Sequence, residues 1–214
     1  MIVCPAIGRA FVHMPKTGGT SWRNALGTTP GFHLLGRQHR PAAVLSESAR
    51  LDLRVFGIYR PPEAWYPSLY AHAMLGKGAA LARLRAWTGG STEWPDVLEA
   101  WTSGAIPPAA IDCPGVIWEH EGPAAWQPGE GLWSWTMRHF FQWPAGGWAV
   151  DTLIHIDDSD AEIDALGLAH GKRRNVRLKA LLPVVSGAQA AAIAKADGAM
   201  MSACHGLMTR EEAA

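Results

Sequence analysis

The chain has 214 residues, 48% of them hydrophobic, enough to close one sizeable core and so read as one domain spanning 1–214. Nineteen Lys plus Arg balance nineteen Asp plus Glu, which argues against the global positive field of a nucleic-acid or anionic-membrane binder and makes any anion site local. Cys4, Cys113 and Cys204 are odd in number and lack CxxC or Cys/His ligand spacing. No apolar run approaches the roughly 18 to 20 residues that span a bilayer, and no signal-peptide pattern opens the chain; the expectation is a reduced, cytoplasmic protein with no membrane span.

In chain order, Arg9 to Met14 is a short apolar run that meets Pro15, two glycines and three hydroxyl residues, which predicts a buried strand, a loop and then a helix through Trp22 to Leu26, ended by Gly27. Val55 to Tyr59 predicts a second strand, closed by Arg60-Pro61-Pro62, with a helix from Glu63 to Leu75 on the spacing of Trp65, Leu69 and His72/Ala73. Gly76 to Gly147 is rich in Trp, Pro and Gly with weak periodicity, and Gly115 to Trp118 is its one strand candidate. Val150 to Ile156 alternates as a strand should. Ser159 with Glu162 then has capping-box spacing for a short helix ending near Gly167, and Ser186 with Gln189 has it for an Ala-rich helix reaching Cys204. Strands alternating with helices predict an α/β sandwich with a mainly parallel sheet.

The loop Pro15-Lys16-Thr17-Gly18-Gly19-Thr20-Ser21 has the parts of an anion cradle. Glycines let backbone N–H groups converge, the following helix adds partial positive charge, hydroxyls donate, and Lys16 supplies a full charge. The nucleotide-triphosphatase loop GxxxxGK[ST] puts its lysine after the last glycine, whereas Lys16 precedes both. The string His13 to Ser21 closely resembles the 5′-phosphosulfate loop of sulfotransferases that use 3′-phosphoadenosine-5′-phosphosulfate, particularly the carbohydrate and heparan-type branch. The resemblance implies a three-layer, P-loop-like fold. It also implies that the loop Pro15 to Ser21 holds the donor's 5′ end, Lys16 meeting the sulfate and bridging oxygen while Thr17 to Ser21 hold the 5′-phosphate. The same families bind the 3′-phosphate with an arginine at a strand end and a serine eight residues later, the interval between Arg60 and Ser68. Pro61 departs from the family pattern, which has asparagine there.

Further along, the resemblance maps Arg173 and Arg174, in the basic run Lys172-Arg173-Arg174, onto a loop that folds over the donor, and Asp197 onto a last-helix aspartate. It divides the domain into donor motifs in 9–75, an acceptor or lid region in 76–148, and a C-terminal strand, basic loop and helix in 149–205. Sulfuryl transfer needs a base for the attacking hydroxyl. His39 stands where related carbohydrate sulfotransferases carry one, so Lys16 and His39 are the expected catalytic pair. His13 reads as a hydrogen-bonded spacer. His72, and Glu119 with His120, are further acid/base candidates by type alone.

Nine of the eleven tryptophans fall between Trp87 and Trp148, where they either fill a core or face a sugar or aromatic acceptor. The expected acceptor is a hydroxyl-bearing small molecule or glycan, and no metal is expected. Two other readings are open. A P-loop-type nucleotide or small-molecule kinase would use Thr17 and the strand-end Asp157 to position magnesium, and a non-catalytic protein would bind the nucleotide or sulfated glycans without reaction.

Overall fold

A computed structural model of the chain describes residues 1–36, 39–50, 52–76, 79–104, 126–170 and 182–208. The fold is α/β, and the chain divides into two compact units. The first comprises Met1–Arg60, Met137–Arg174 and Ser202–Ala214, and the second Pro61–Thr136 and Asn175–Met201.

The first unit holds a five-stranded sheet built from β1 (Ile2–Cys4), β2 (Arg9–Val12), β3 (His33–Leu34), β4 (Arg54–Tyr59) and β5 (Thr152–His155), in the order β3-β1-β2-β4-β5. Pairings β2 with β4 and β4 with β5 are parallel, whereas β1 runs antiparallel to both β2 and β3. The sheet is therefore mixed, and only its β2-β4-β5 half follows the mainly parallel arrangement expected. The difference comes from a hairpin: Gly8, at φ +61, takes a left-handed turn after a 3₁₀ turn over Pro5–Ile7 and returns the chain along β1. A three-residue strand is too short for alternation to register in the sequence.

Parallel pairing requires crossovers, and the one from β2 to β4 passes through α1 (Gly19–Leu26). Alternation along β2 and β4 turns Phe11, Phe56 and Ile58 into a core with Trp22, Ala25 and Leu26 of α1 and Ile163 of α7 (Ser159–Ala165). The Phe11, Trp22 and Phe56 rings lie 4.8 to 5.9 Å apart, and burying each such side chain contributes on the order of 1.5–3 kcal/mol. Between the residues of β4 that build this core, Gly57 packs against Phe141 of α6 (Leu132–Phe141), so closely that a Cβ there would lie 2.3 Å from the Phe141 ring. α2 (Glu47–Arg50) also belongs to this unit.

The second unit is helical, containing α3 (Pro62–Leu75), α4 (Ala79–Thr88), α5 (Trp94–Thr102), the first residues of α6, and α8 (Gly187–Met208) as far as Met201. Trp87, Trp101, Trp133 and Trp135 are buried and serve as core. A buried polar knot satisfies the start of α6. Asp197 accepts the Ser134 N–H at 3.0 Å and hydroxyl at 2.7 Å through Oδ1, and the Tyr66 hydroxyl at 2.8 Å through Oδ2. Tyr66 in turn accepts the Trp133 N–H at 3.1 Å, so two of the helix's orphan amides find partners. Burial raises the Asp197 carboxyl to about 6, against the hydrogen bonds from Ser134 and Tyr66.

The two capping boxes differ. Ser186 and Gln189 exchange hydrogen bonds of 3.3 and 2.9 Å in front of α8. Ser159 instead begins α7 and spends its hydroxyl on the Trp22 indole N–H at 2.6 Å, so α7 forms without the expected box. The strand candidate Gly115 to Trp118 lies outside the described residues.

Candidate anion-binding site

The loop leaves β2 at the C-terminal ends of the parallel strands, the edge where open α/β sheets bind ligands. His13, Met14 and Pro15 are buried, and Lys16 then takes the left-handed backbone at φ +67, the one non-glycine residue to do so among those described. Gly18 follows at φ +82 and starts α1, whose first turn is Gly19, Thr20 and Ser21. Successive turns of this kind aim backbone amides at one point in front of the helix. Gly19 is required sterically: a Cβ there would fall 2.0 Å from Cδ2 of the His13 ring. On the far side Ile156, just past β5, comes within 3.5 Å of where a Gly18 Cβ would stand.

Arg60, one residue past β4, donates from Nη1 to the Lys16 carbonyl at 3.0 Å, so the structure joins two of the expected anion ligands that are 44 positions apart. Burial, then the adjacent Arg60 charge, lowers the Lys16 ammonium to about 8. Arg60 is itself lowered by burial and raised by the Asp157 carboxylate. Two cations crowded ahead of the α1 N-terminus form a centre that gains from an anion between them. The Thr17 hydroxyl is fully buried and donates to the Met14 carbonyl at 2.9 Å, which turns it away from any ligand.

His39 is brought to the same loop from 26 residues away: its Nδ1 lies 2.9 Å from the His13 carbonyl and its ring 4.5 Å from the His13 ring. A carbonyl only accepts, so Nδ1 carries the proton and Nε2 of the neutral ring keeps its lone pair. Burial lowers the pKa of His39, against the opposing pull of that hydrogen bond. His13 is pushed lower still, by burial first and then by His39. Both imidazoles are therefore neutral at pH 7, and His39 has the tautomer a proton acceptor needs.

Ser68 is buried on α3 and belongs to the second unit, as does the exposed His72. Arg173 and Arg174, and Glu119 with His120, lie outside the described residues. The reading from sequence missed Ile156 as a wall of the loop; the signal available was the parallel register, which brings Tyr59 beside His155. It also missed the tie between Arg60 and the Lys16 carbonyl, which no side-chain pattern encodes. No family model, curated protein or solved structure matches the chain.

Proposed function

We propose that this chain is a sulfotransferase that moves the sulfuryl group of 3′-phosphoadenosine-5′-phosphosulfate onto a hydroxyl of a carbohydrate or small metabolite. The observation that carries the reading is Lys16 in left-handed backbone ahead of α1, with Arg60 fastened to its carbonyl. That arrangement gathers two cations at one centre, which suits the phosphosulfate end of such a donor. The acceptor oxygen attacks sulfur in line, the bond from sulfur to the bridging phosphate oxygen breaks, and that oxygen gathers the negative charge. The Lys16 ammonium meets this charge. His39 Nε2 takes the proton from the acceptor hydroxyl.

Three-layer, P-loop-like architecture is part of the same proposal, supported by α1 and α7 packing on the Phe56 face of β4 and Phe141 packing on Gly57. The kinase reading loses support at Thr17, whose hydroxyl is committed to the Met14 carbonyl rather than open to a metal. Thermal-shift titration with adenosine 3′,5′-bisphosphate, against ATP plus magnesium, tests the assignment. At a hundredfold excess over its dissociation constant the bisphosphate should raise Tm by about 5–10 °C. Preferential stabilisation by ATP with magnesium would overturn the reading.

A further inference from the structure

One charged group at the anion-binding edge has no part in the transfer chemistry. The Ile156 N–H donates to the Tyr59 carbonyl at 2.8 Å, so the chain leaving β5 runs beside the chain leaving β4. Ile156 walls the loop at Gly18. Asp157 comes next, in a turn closed by the Asp158 N–H on the His155 carbonyl at 3.0 Å and by its own N–H on His155 Nδ1 at 3.3 Å. Its side chain is 86% exposed with His155 Nδ1 3.6 Å away, and among the described residues no hydrogen bond ends on its carboxylate. Burial lowers the Arg60 guanidinium and the Asp157 carboxylate opposes that, while Arg60 is fastened to the Lys16 carbonyl. A carboxylate beside these two cations works against an incoming phosphate unless the ligand brings it a hydrogen-bond donor.

We propose that Asp157 accepts the 2′-hydroxyl of the nucleotide's ribose and makes the site select a ribonucleotide over its 2′-deoxy counterpart. The inference rests on the donor assigned above. That donor carries phosphosulfate at its 5′ position and phosphate at its 3′ position, which leaves the 2′-hydroxyl as the one free hydroxyl of the ribose. An ionised carboxylate only accepts, so the two groups match, and an acidic side chain meets a ribose hydroxyl in the same way in other open α/β sheets. Because His155 Nδ1 receives the Asp157 N–H, that nitrogen has no proton to give the carboxylate, whose oxygens stay open to the ligand.

Isothermal titration of the full chain in EDTA with adenosine 3′,5′-bisphosphate, and separately with 2′-deoxyadenosine 3′,5′-bisphosphate, tests the proposal. The ribonucleotide should bind about tenfold or more tighter. Asp157→Ala should abolish that preference by weakening the ribonucleotide, while the deoxynucleotide binds as in the wild type or better because a like charge has gone. The wild-type comparison needs no variant, so it decides the matter if Asp157→Ala does not fold. Equal affinities in the wild type, or equal weakening of both nucleotides in the variant, would overturn the assignment and leave the donor in place. A preference seen only when magnesium replaces EDTA would put a metal on Asp157 and overturn it as well. Binding of neither nucleotide would remove the donor assignment, and this one with it.

Discussion

At the scale of single residues, Lys16 and His39 carry opposite protonation demands and the loop sets both. Lys16 must be an ammonium to meet an anion, yet burial and Arg60 hold it to about 8. Affinity for adenosine 3′,5′-bisphosphate should accordingly be full below about pH 7 and fall by about tenfold near pH 9, where the free protein has shed that proton. Lys16→Arg should flatten the profile, and a profile unchanged by this variant would remove Lys16 from the site. His39→Ala should lower kcat by about 10²- to 10⁴-fold with bisphosphate affinity unaltered, because the imidazole acts on the acceptor side. Near-normal turnover would move the base elsewhere. Residue types and intervals in the loop were legible because glycines, hydroxyls and one lysine in that order have few other uses. The tautomer of His39 was not, since it depends on a main-chain carbonyl that residue identities do not report.

Secondary elements were legible where the chain repeats a pattern long enough to read. Expected strands at Arg9, Val55 and Val150 correspond to β2, β4 and β5, and the helix after Pro62 runs to Leu75 as its spacing requires. β1 and β3, three and two residues long, are below that limit and hold the antiparallel half of the sheet. α4 and α5 arise within the Trp-rich stretch of weak periodicity, where large buried indoles fill space that a regular stripe of Leu or Ile would otherwise fill. Ser159 shows a pattern outbid by a tertiary partner, the Trp22 indole. Contact between α6 and β4 rests on the absence of a side chain. Gly57→Ala puts a methyl into the Phe141 ring and should cost about 1–3 kcal/mol in urea unfolding. Adding Phe141→Leu should recover part of that loss, and no recovery would place the strain elsewhere.

For the whole molecule, balanced charge leaves pH sensitivity to a few buried groups, and Asp197 is the clearest. Burial holds its carboxyl at about 6 in the folded chain, above the ordinary 3.8, so the native state holds this proton more tightly than the unfolded chain. Its contribution to stability is therefore greatest below about pH 4 and is lost as pH rises to about 6, by about 3 kcal/mol at roughly 1.4 kcal/mol per unit. Asp197→Asn should remove this slope, read as the difference between variant and wild type in urea unfolding at acid and neutral pH. A difference independent of pH would count against a buried, titrating carboxylate. Lys16 has the opposite kind of global effect. A side chain held at φ +67 stores on the order of 1 kcal/mol of backbone strain that glycine would not feel. Lys16→Gly should then melt higher than the wild type while losing its anion, so stability and anion binding pull this one position in opposite directions.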